Sequence, residues 1–221
     1  MPDLAFSSQL INLFAALLLL LGFAMLTQRR IMSLINLFAL QGFVLMLSTL
    51  VVGYSTQQSH LYISAAVTLA LKVIVLPWFL HWLLGKLNVR WDVESMVNIP
   101  VQMLIGIALV IFAFNLAAPI SQMAGTITRS ALGIAIASIL LSFLMMITRR
   151  KAVSQVIGFL AMENGLFFAA TSATYGMPMV VELGILFDVL VAALIFGVFF
   201  FHIRETFESL DIHHLEKLKE R

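Results

Sequence analysis

The chain has 221 residues, of which 62% are hydrophobic and 11% are charged, and its mean hydropathy is +1.05. A soluble domain carries about twice this fraction of charge, so the composition indicates a helical protein with several membrane spans. The net charge is only +2 and cysteine is absent, which argues against a nucleic-acid partner and excludes disulfides and cysteine-ligated iron–sulfur or zinc sites in this chain.

Seven apolar runs are each long enough to cross about 30 Å of hydrocarbon at about 1.5 Å per residue. The runs lie at 4–26, 31–53, 61–84, 96–118, 128–147, 152–175 and 179–202. We therefore predict an all-α, polytopic membrane protein with about seven transmembrane helices within 1–203. Residues 204–221 are expected to form an amphipathic cytoplasmic tail, for which a solvated helix is an equal alternative. The first run has no Lys or Arg before it, so we interpret it as a retained helix rather than a signal peptide.

Positive charge alternates between the loops and predicts their orientation. Lys and Arg residues follow the first, third, fifth and seventh runs, whereas the other loops contain only Arg129. Because positive loops face the cytoplasm, the N-terminus is expected outside and the C-terminus inside.

A weak internal repeat relates the two halves of the chain. Arg-containing loops at 27–30 and 148–151 are each followed by a helix with a central polar step, at 41–42 and at 163–165. A further helix with one central ionisable residue follows in both copies. Four helices separate the copies, so the pattern predicts a parallel three-helix repeat with the fourth helix as a spacer.

Three ionisable residues lie near the middle of predicted spans. Glu163 is roughly 18 Å from the cytoplasmic side, and Asp188 and Lys72 are roughly 14 and 16 Å from the outer side at the helical rise. Charges at this depth are costly and are functional candidates. Burial favours the protonated acid and a neighbouring Lys favours the ionised acid, so these groups are candidates for a proton relay. The alternative is a structural ion pair or a hydrogen-bonded acid that joins helices.

Four further residues are candidates for relay or entrance positions. Asn164 follows Glu163 directly, and Glu182 lies near the outer mouth of the seventh helix, where a surface acid is an equal alternative. His202 lies at the cytoplasmic end of that helix, on nearly the same face as its central acid. It and His81 are more typical of interfacial side chains. No metal, nucleotide or nucleophile–base motif is found.

Small residues and one proline indicate where helices approach or bend. Gly158 and Gly165 on the sixth helix, and Gly184 and Ala192 on the seventh, predict small-residue faces that another helix or a file of water can approach. Pro77 has no N–H group and leaves the carbonyl of Val73, one residue after Lys72, without its α-helical donor. We expect either a hydrated kink or a plain packing kink there.

Helices five to seven resemble the three-helix K-type subunit of respiratory complex I. The shared layout consists of Arg149-Arg150 in the turn, Ile157-Gly158 and Asn164, with one acid in each of the last two helices. The first acid of that family falls on Leu160, whereas this chain has Glu163 one turn later. The second acid, Asp188, is also displaced by a short distance from its position in that family.

The whole chain resembles the hydrogenase-4 component E family, the membrane subunits of complex-I-related nickel–iron hydrogenases such as formate hydrogenlyases. Residues 162–165, 182–184 and Asp188 carry this resemblance. It implies a non-redox subunit of the inner membrane of a bacterium or archaeon, bound to antiporter-like and other membrane subunits. It also implies proton translocation, with the nickel–iron centre and iron–sulfur clusters on partner chains and no cofactor in this one. A free-standing secondary cation or proton transporter and a purely structural scaffold are the alternatives.

The charge alternation is testable with reporter fusions. We expect fusions within 148–151 and within the tail to report a cytoplasmic location, and fusions within 55–59 and 176–178 to report an outer location. A cytoplasmic signal from 176–178 would contradict the seven-helix topology.

Overall fold

The computed structural model describes residues 2–87, 95–124 and 129–174, together with nine helical positions between 183 and 197. The elements in chain order are α1 (Pro2–Thr27), α2 (Ile31–Thr56), α3 (Ser59–Thr68), a π-helix (Leu69–Val75), α4 (Leu76–Leu87), α5 (Ile99–Ala124), α6 (Arg129–Thr148) and α7 (Ala152–Thr174). The prediction of an all-helical protein is confirmed.

Six helices of the described part are long and apolar enough to cross a membrane. α3, the π-helix and α4 together form one of them, Ser59–Gly85. The nine described positions of the seventh predicted run are helical, and the rest of that run lies outside the described residues. The fourth predicted run ended at Ala118, the residue before Pro119, but α5 continues to Ala124. A proline inside a long apolar helix is tolerated in a membrane, and the candidate span Ile99–Pro119 ends one residue after the predicted boundary.

α2, α6 and α7 form the inner part of the bundle. α6 packs against α1, α5 and α7, and α2 packs against α1, the whole third span and α7. α1 and α5 are largely peripheral, and α5 exposes a row of large apolar side chains, as expected of a surface that faces lipid: Leu104, Ile107, Ile111 and Phe112.

Glycines of α7 set its distance from α6. A Cβ atom built on Gly158 would lie 2.8 Å from the Met146 side chain, and one on Gly165 would lie 3.0 Å from the Ile139 side chain. Contacts this short leave no room for a methyl group. The predicted close packing along this helix is therefore present, and α6 is the helix that occupies it.

Two apolar clusters lie on either side of a thin polar layer. One cluster includes buried side chains from residues 31–38 of α2 and 153–161 of α7. The other includes residues 44–45 and 167–168 of the same two helices. The buried side chains between them on these two helices include Gln41, Glu163 and Asn164. The core therefore fixes the level of the polar groups within the bundle.

Arg149 joins α1 to the turn between α6 and α7. The residue is only 1% exposed, and the two N–H groups of Nη2 donate to the carbonyls of Met25 at 3.1 Å and Leu26 at 2.7 Å. A cation at the last carbonyls of a helix is favoured by the helix dipole. Burial lowers the pKa of Arg149 from its ordinary value, but a guanidinium stays protonated in proteins. The sequence analysis treated this residue only as a loop charge.

The same turn also holds the segment before α5. The backbone N–H of Met96 donates to the Thr148 carbonyl at 2.8 Å, and the Ser95 hydroxyl donates to the same carbonyl at 3.3 Å. Gln102 of α5 donates to Ser95 Oγ and, at 2.9 Å, to the Val97 carbonyl. This end of the bundle is thus tied together by backbone and amide hydrogen bonds.

Arg149→Lys should lower the free energy of unfolding by about 1–3 kcal/mol, because an ammonium cannot reproduce the planar pair of bonds to two buried carbonyls. Thermal and denaturant unfolding of the purified protein in detergent measures the change. Arg150→Lys is the matched control, since Arg150 is exposed and adjacent. Equal stability of the two variants would contradict the assigned role.

Candidate functional site

The site is built around a buried ion pair between the third span and α7. Lys72 Nζ lies 3.9 Å from Glu163 Oε2, and the two side chains are 1% and 3% exposed. Lys72 is residue 14 of the 27-residue span Ser59–Gly85, and Glu163 is residue 12 of the 21-residue span Ala152–Ser172. Both groups therefore lie at mid-span, where the sequence analysis expected them.

Lys72 lies in the π-helix, which the sequence analysis did not predict. The N–H of Leu76 donates to the Leu71 carbonyl, five residues back. In this register the donor to the Lys72 carbonyl would be Pro77, which has no N–H. The predicted effect of Pro77 on the Val73 carbonyl assumed α-helical spacing throughout, and it stays a prediction. A proline five residues after a buried Lys was the available signal, and π-helical turns often occur at functional sites.

Gly42 allows α2 to approach the π-helix closely. A Cβ atom at this position would lie 3.1 Å from Lys72 Cβ and 3.5 Å from Val73 Cγ2. A larger residue would separate the two elements or displace the Lys72 side chain. The close approach thus holds the base of Lys72 against α2 while its ammonium reaches α7.

An amide pair joins α2 to α7 beside the ion pair. The Asn164 Nδ2 atom donates to Gln41 Oε1 at 3.2 Å, and both side chains are buried. The two polar steps of the predicted repeat, at 41–42 and 163–165, therefore meet in the structure. Gln41 was recognised only as part of that repeat, and its partner could not be inferred from one sequence.

Phe167 lies one turn after Glu163 and is close to both the third span and the seventh run. The Lys72 ammonium is 5.6 Å from the centre of its ring, within the range of a cation–π interaction. A Cβ atom on Gly184 would lie 2.9 Å from the same ring. The close packing predicted at Gly184 is therefore present, with Phe167 as its partner.

A cavity of about 230 Å³ opens beside Glu163, between α7 and the described part of the seventh run. The other described residues of its wall are apolar and include Phe167 from α7 and Leu183, Gly184 and Phe187 from the seventh run. Among the described lining residues Glu163 is the ionisable one, so the cavity lies between the ion pair and the helix that carries the second predicted acid.

Three predicted site residues, Asp188, Glu182 and His202, lie outside the described residues. A link between Glu163 and Asp188 therefore stays a prediction. His81 is described: its Nδ1 donates to the Pro77 carbonyl at 2.8 Å, so Nδ1 carries the proton, because a carbonyl only accepts. It lies nine residues after Lys72, or about 13 Å along a helix, and the structure does not bring it to the ion pair.

Within the described ranges, no group of three or more His, Asp or Glu side chains is arranged to hold a metal ion. The described part of the site contributes one acid, one ammonium and two amides in an apolar setting. Such a set can hold or exchange a proton, or it can join helices.

No family model and no solved structure matches the chain. It is 23% identical over 214 residues to "Hydrogenase-4 component E" of Escherichia coli strain K12, covering 96% of this chain and 98% of the relative, and equally similar to the protein of that name from Shigella flexneri. It is 31% identical over 214 residues to "Uncharacterized protein Rv0085" of Mycobacterium tuberculosis, covering 96% of this chain and 97% of the relative. With this identity and coverage, the chain belongs to the same protein family as the Mycobacterium tuberculosis relative.

Proposed function

We propose that the chain is a membrane subunit of a hydrogenase complex and that the Lys72–Glu163 pair relays protons within it. The observation that carries the relay is the pair itself, an acid and a base buried together at mid-span. The full-length similarity to hydrogenase-4 component E supports the place in a hydrogenase. Redox centres belong, in this proposal, to partner chains.

A buried acid–base pair suits proton transfer for an electrostatic reason. A single charge at mid-span costs several kcal/mol, whereas an ionised pair and a neutral pair are both balanced. Moving one proton between Lys72 and Glu163 interconverts these two forms without creating a net charge. The site can therefore change its protonation at a lower cost than an isolated acid can.

The separation of the pair leaves room for an intermediary. At 3.9 Å the two atoms are close enough for strong attraction but beyond the usual length of a direct hydrogen bond. One water molecule or a small side-chain rotation closes such a gap. The cavity beside Glu163 offers space on the side toward the seventh run.

The remaining predicted residues extend this relay. Asp188 is proposed as the next proton-binding group beyond the cavity, with Glu182 at the outer mouth and His202 at the cytoplasmic end. Asn164 would orient its neighbour Glu163 rather than carry a proton, since an amide does not titrate. Antiporter-like subunits are the proposed neighbours, as the resemblance to hydrogenase-4 component E implies, and the N-terminus is proposed to lie outside.

A structural scaffold is the second candidate, and the amide pair favours it. Hydrogen bonds such as Asn164 to Gln41 join membrane helices without any transport role. Under this alternative the Lys72–Glu163 pair would also serve only to hold α7 against the third span. The two proposals differ in what happens when the acid is made non-titratable.

Glu163→Gln should leave the complex assembled and hydrogenase activity with a soluble dye intact, because the redox centres are expected on other chains. Proton pumping into sealed vesicles should fall by about tenfold or more, a modest loss for a positioned acid–base group. Asp188→Asn should behave in the same way, and Asp188→Glu should retain part of the pumping.

Arg150→Gln is the control for a charge removed from an exposed position and should pump normally. Normal pumping by Glu163→Gln would exclude the relay and favour the scaffold. Co-purification tests the subunit assignment separately: a chain that purifies alone in mild detergent, with no hydrogenase, would contradict it.

A further inference from the structure

A second buried polar layer lies two helical turns from the ion pair. The contacts at the pair set the register: Gln41 meets Asn164, and Lys72 meets Glu163. α2 and α7 are the second and sixth spans and therefore run in the same direction. Ser48, seven residues after Gln41, is thus level with Thr171, seven residues after Asn164. The third span runs in the opposite direction to α7. Ser64, eight residues before Lys72, therefore lies near the level of Thr171, eight residues after Glu163.

These three hydroxyl groups are buried and lie on α2, α3 and α7, and α2 packs against both of the other helices. Ser48, Ser64 and Thr171 are 1%, 0% and 2% exposed. Thr171 donates to its own helix, to the Phe167 carbonyl at 3.0 Å. The Oγ atoms of Ser48 and Ser64 have no hydrogen-bond partner among the described residues. We call these three residues the hydroxyl layer.

Helical spacing puts Ser48 on the side of α2 that faces α7, and Ser64 on the side of the third span that carries Lys72. Ser48 lies seven residues after Gln41, which contacts α7, and residues seven apart share one helix face. Ser64, Thr68 and Lys72 follow each other at intervals of four. In an α-helix, residues four apart are rotated about 40° from each other around the helix axis. The wider turn of the π-helix between Thr68 and Lys72 rotates the side chains in the opposite sense, so the three residues stay on one face. Ser64 and Thr68 therefore point toward the groove that Lys72 enters.

We propose that the hydroxyl layer binds water and that this water supplies protons to Lys72 along the face of the third span that carries Thr68. An unpartnered hydroxyl in an apolar core costs free energy that a bound water recovers, and a buried water needs two to four polar partners. Ser48, Ser64 and Thr171 supply that number. The role in proton supply rests on the proposed relay, whereas the presence of water does not.

Water fits the layer better than a metal cation does. Hard cations in proteins are held by carboxylates and carbonyls, but the layer offers hydroxyl groups only. The nearest described charges are those of Lys72 and Glu163, about 12 Å along the helix, and as a pair they carry no net negative charge that would attract a cation. A neutral ligand that both donates and accepts hydrogen bonds is what the layer can hold.

The layer is closed toward the Ser59 end of the bundle by an apolar contact. Val52 and Leu61 form a small buried cluster there, and a Cβ atom on Gly53 would lie 3.0 Å from Leu61 Cβ. The charge alternation predicts that this end faces outside. Water in the layer would thus lie between the ion pair and a closed outer contact, as in a half-channel.

The absence of cysteine makes the test direct, because a single introduced thiol gives the only S–H signal. Ser64→Cys and Ser48→Cys are near-isosteric, and infrared spectroscopy of each purified protein in D₂O follows the conversion of S–H to S–D. Ala135→Cys is the matched control: Ala135 is fully buried among apolar residues and, like Ser64, is the sixth residue of its span.

Both Ser variants should exchange at least about tenfold faster than Ala135→Cys, because exchange in a dry core requires local opening. Exchange as slow as in the control would overturn the water site, and either Ser variant alone decides this if the other does not fold. The double variant Ser48→Ala/Ser64→Ala then tests whether the water delivers protons to Lys72. Pumping reduced severalfold supports delivery, and normal pumping overturns it. The two proposals can fail separately. If Glu163→Gln loses pumping but the introduced thiols exchange slowly, the water site is contradicted and the proton relay is still supported.

Discussion

The ion pair between Lys72 and Glu163 is the constraint on which the rest of the structure depends. Neither charge is stable alone at mid-span, so the third span and α7 must stay in register to within an ångström or two. The close contact at Gly42 and the amide bond from Asn164 to Gln41 maintain that register from the side of α2. The apolar clusters above and below exclude solvent and raise the cost of separating the charges.

The polar groups that the pair requires also give the bundle its chemistry. A thin layer of charges and amides, a cavity toward the seventh run and a layer of hydroxyls toward the Ser59 end lie along one inner groove. The π-helix belongs to the same arrangement, because its wider turn brings Ser64, Thr68 and Lys72 into line. Arg149 works at the opposite end, where it fixes α1 to the turn before α7 and so supports the helix that carries Glu163.

The helical class, the six described spans and the depth of both charges could be predicted from the sequence, because hydropathy and helical rise fix them directly. The pairing of Lys72 with Glu163 could not, since residues 91 positions apart meet only when the order of helices around the bundle is known. The π-helix was missed because apolar periodicity cannot distinguish it from an α-helix of the same length. Arg149 was misjudged for a related reason: a charge between two spans normally faces water, and only the nearby end of α1 makes its burial favourable.

The central claim is that Lys72 and Glu163 are energetically coupled, and a double-mutant cycle measures this directly. The variants are Lys72→Met, Glu163→Gln and the combination, each unfolded in the same detergent. If the pair is coupled, each single variant removes the opposite charge from beside the remaining buried group, and the combination should be more stable than the sum of the two losses by about 0.5–3 kcal/mol. Losses that simply add would show that the two side chains do not interact and would contradict the account.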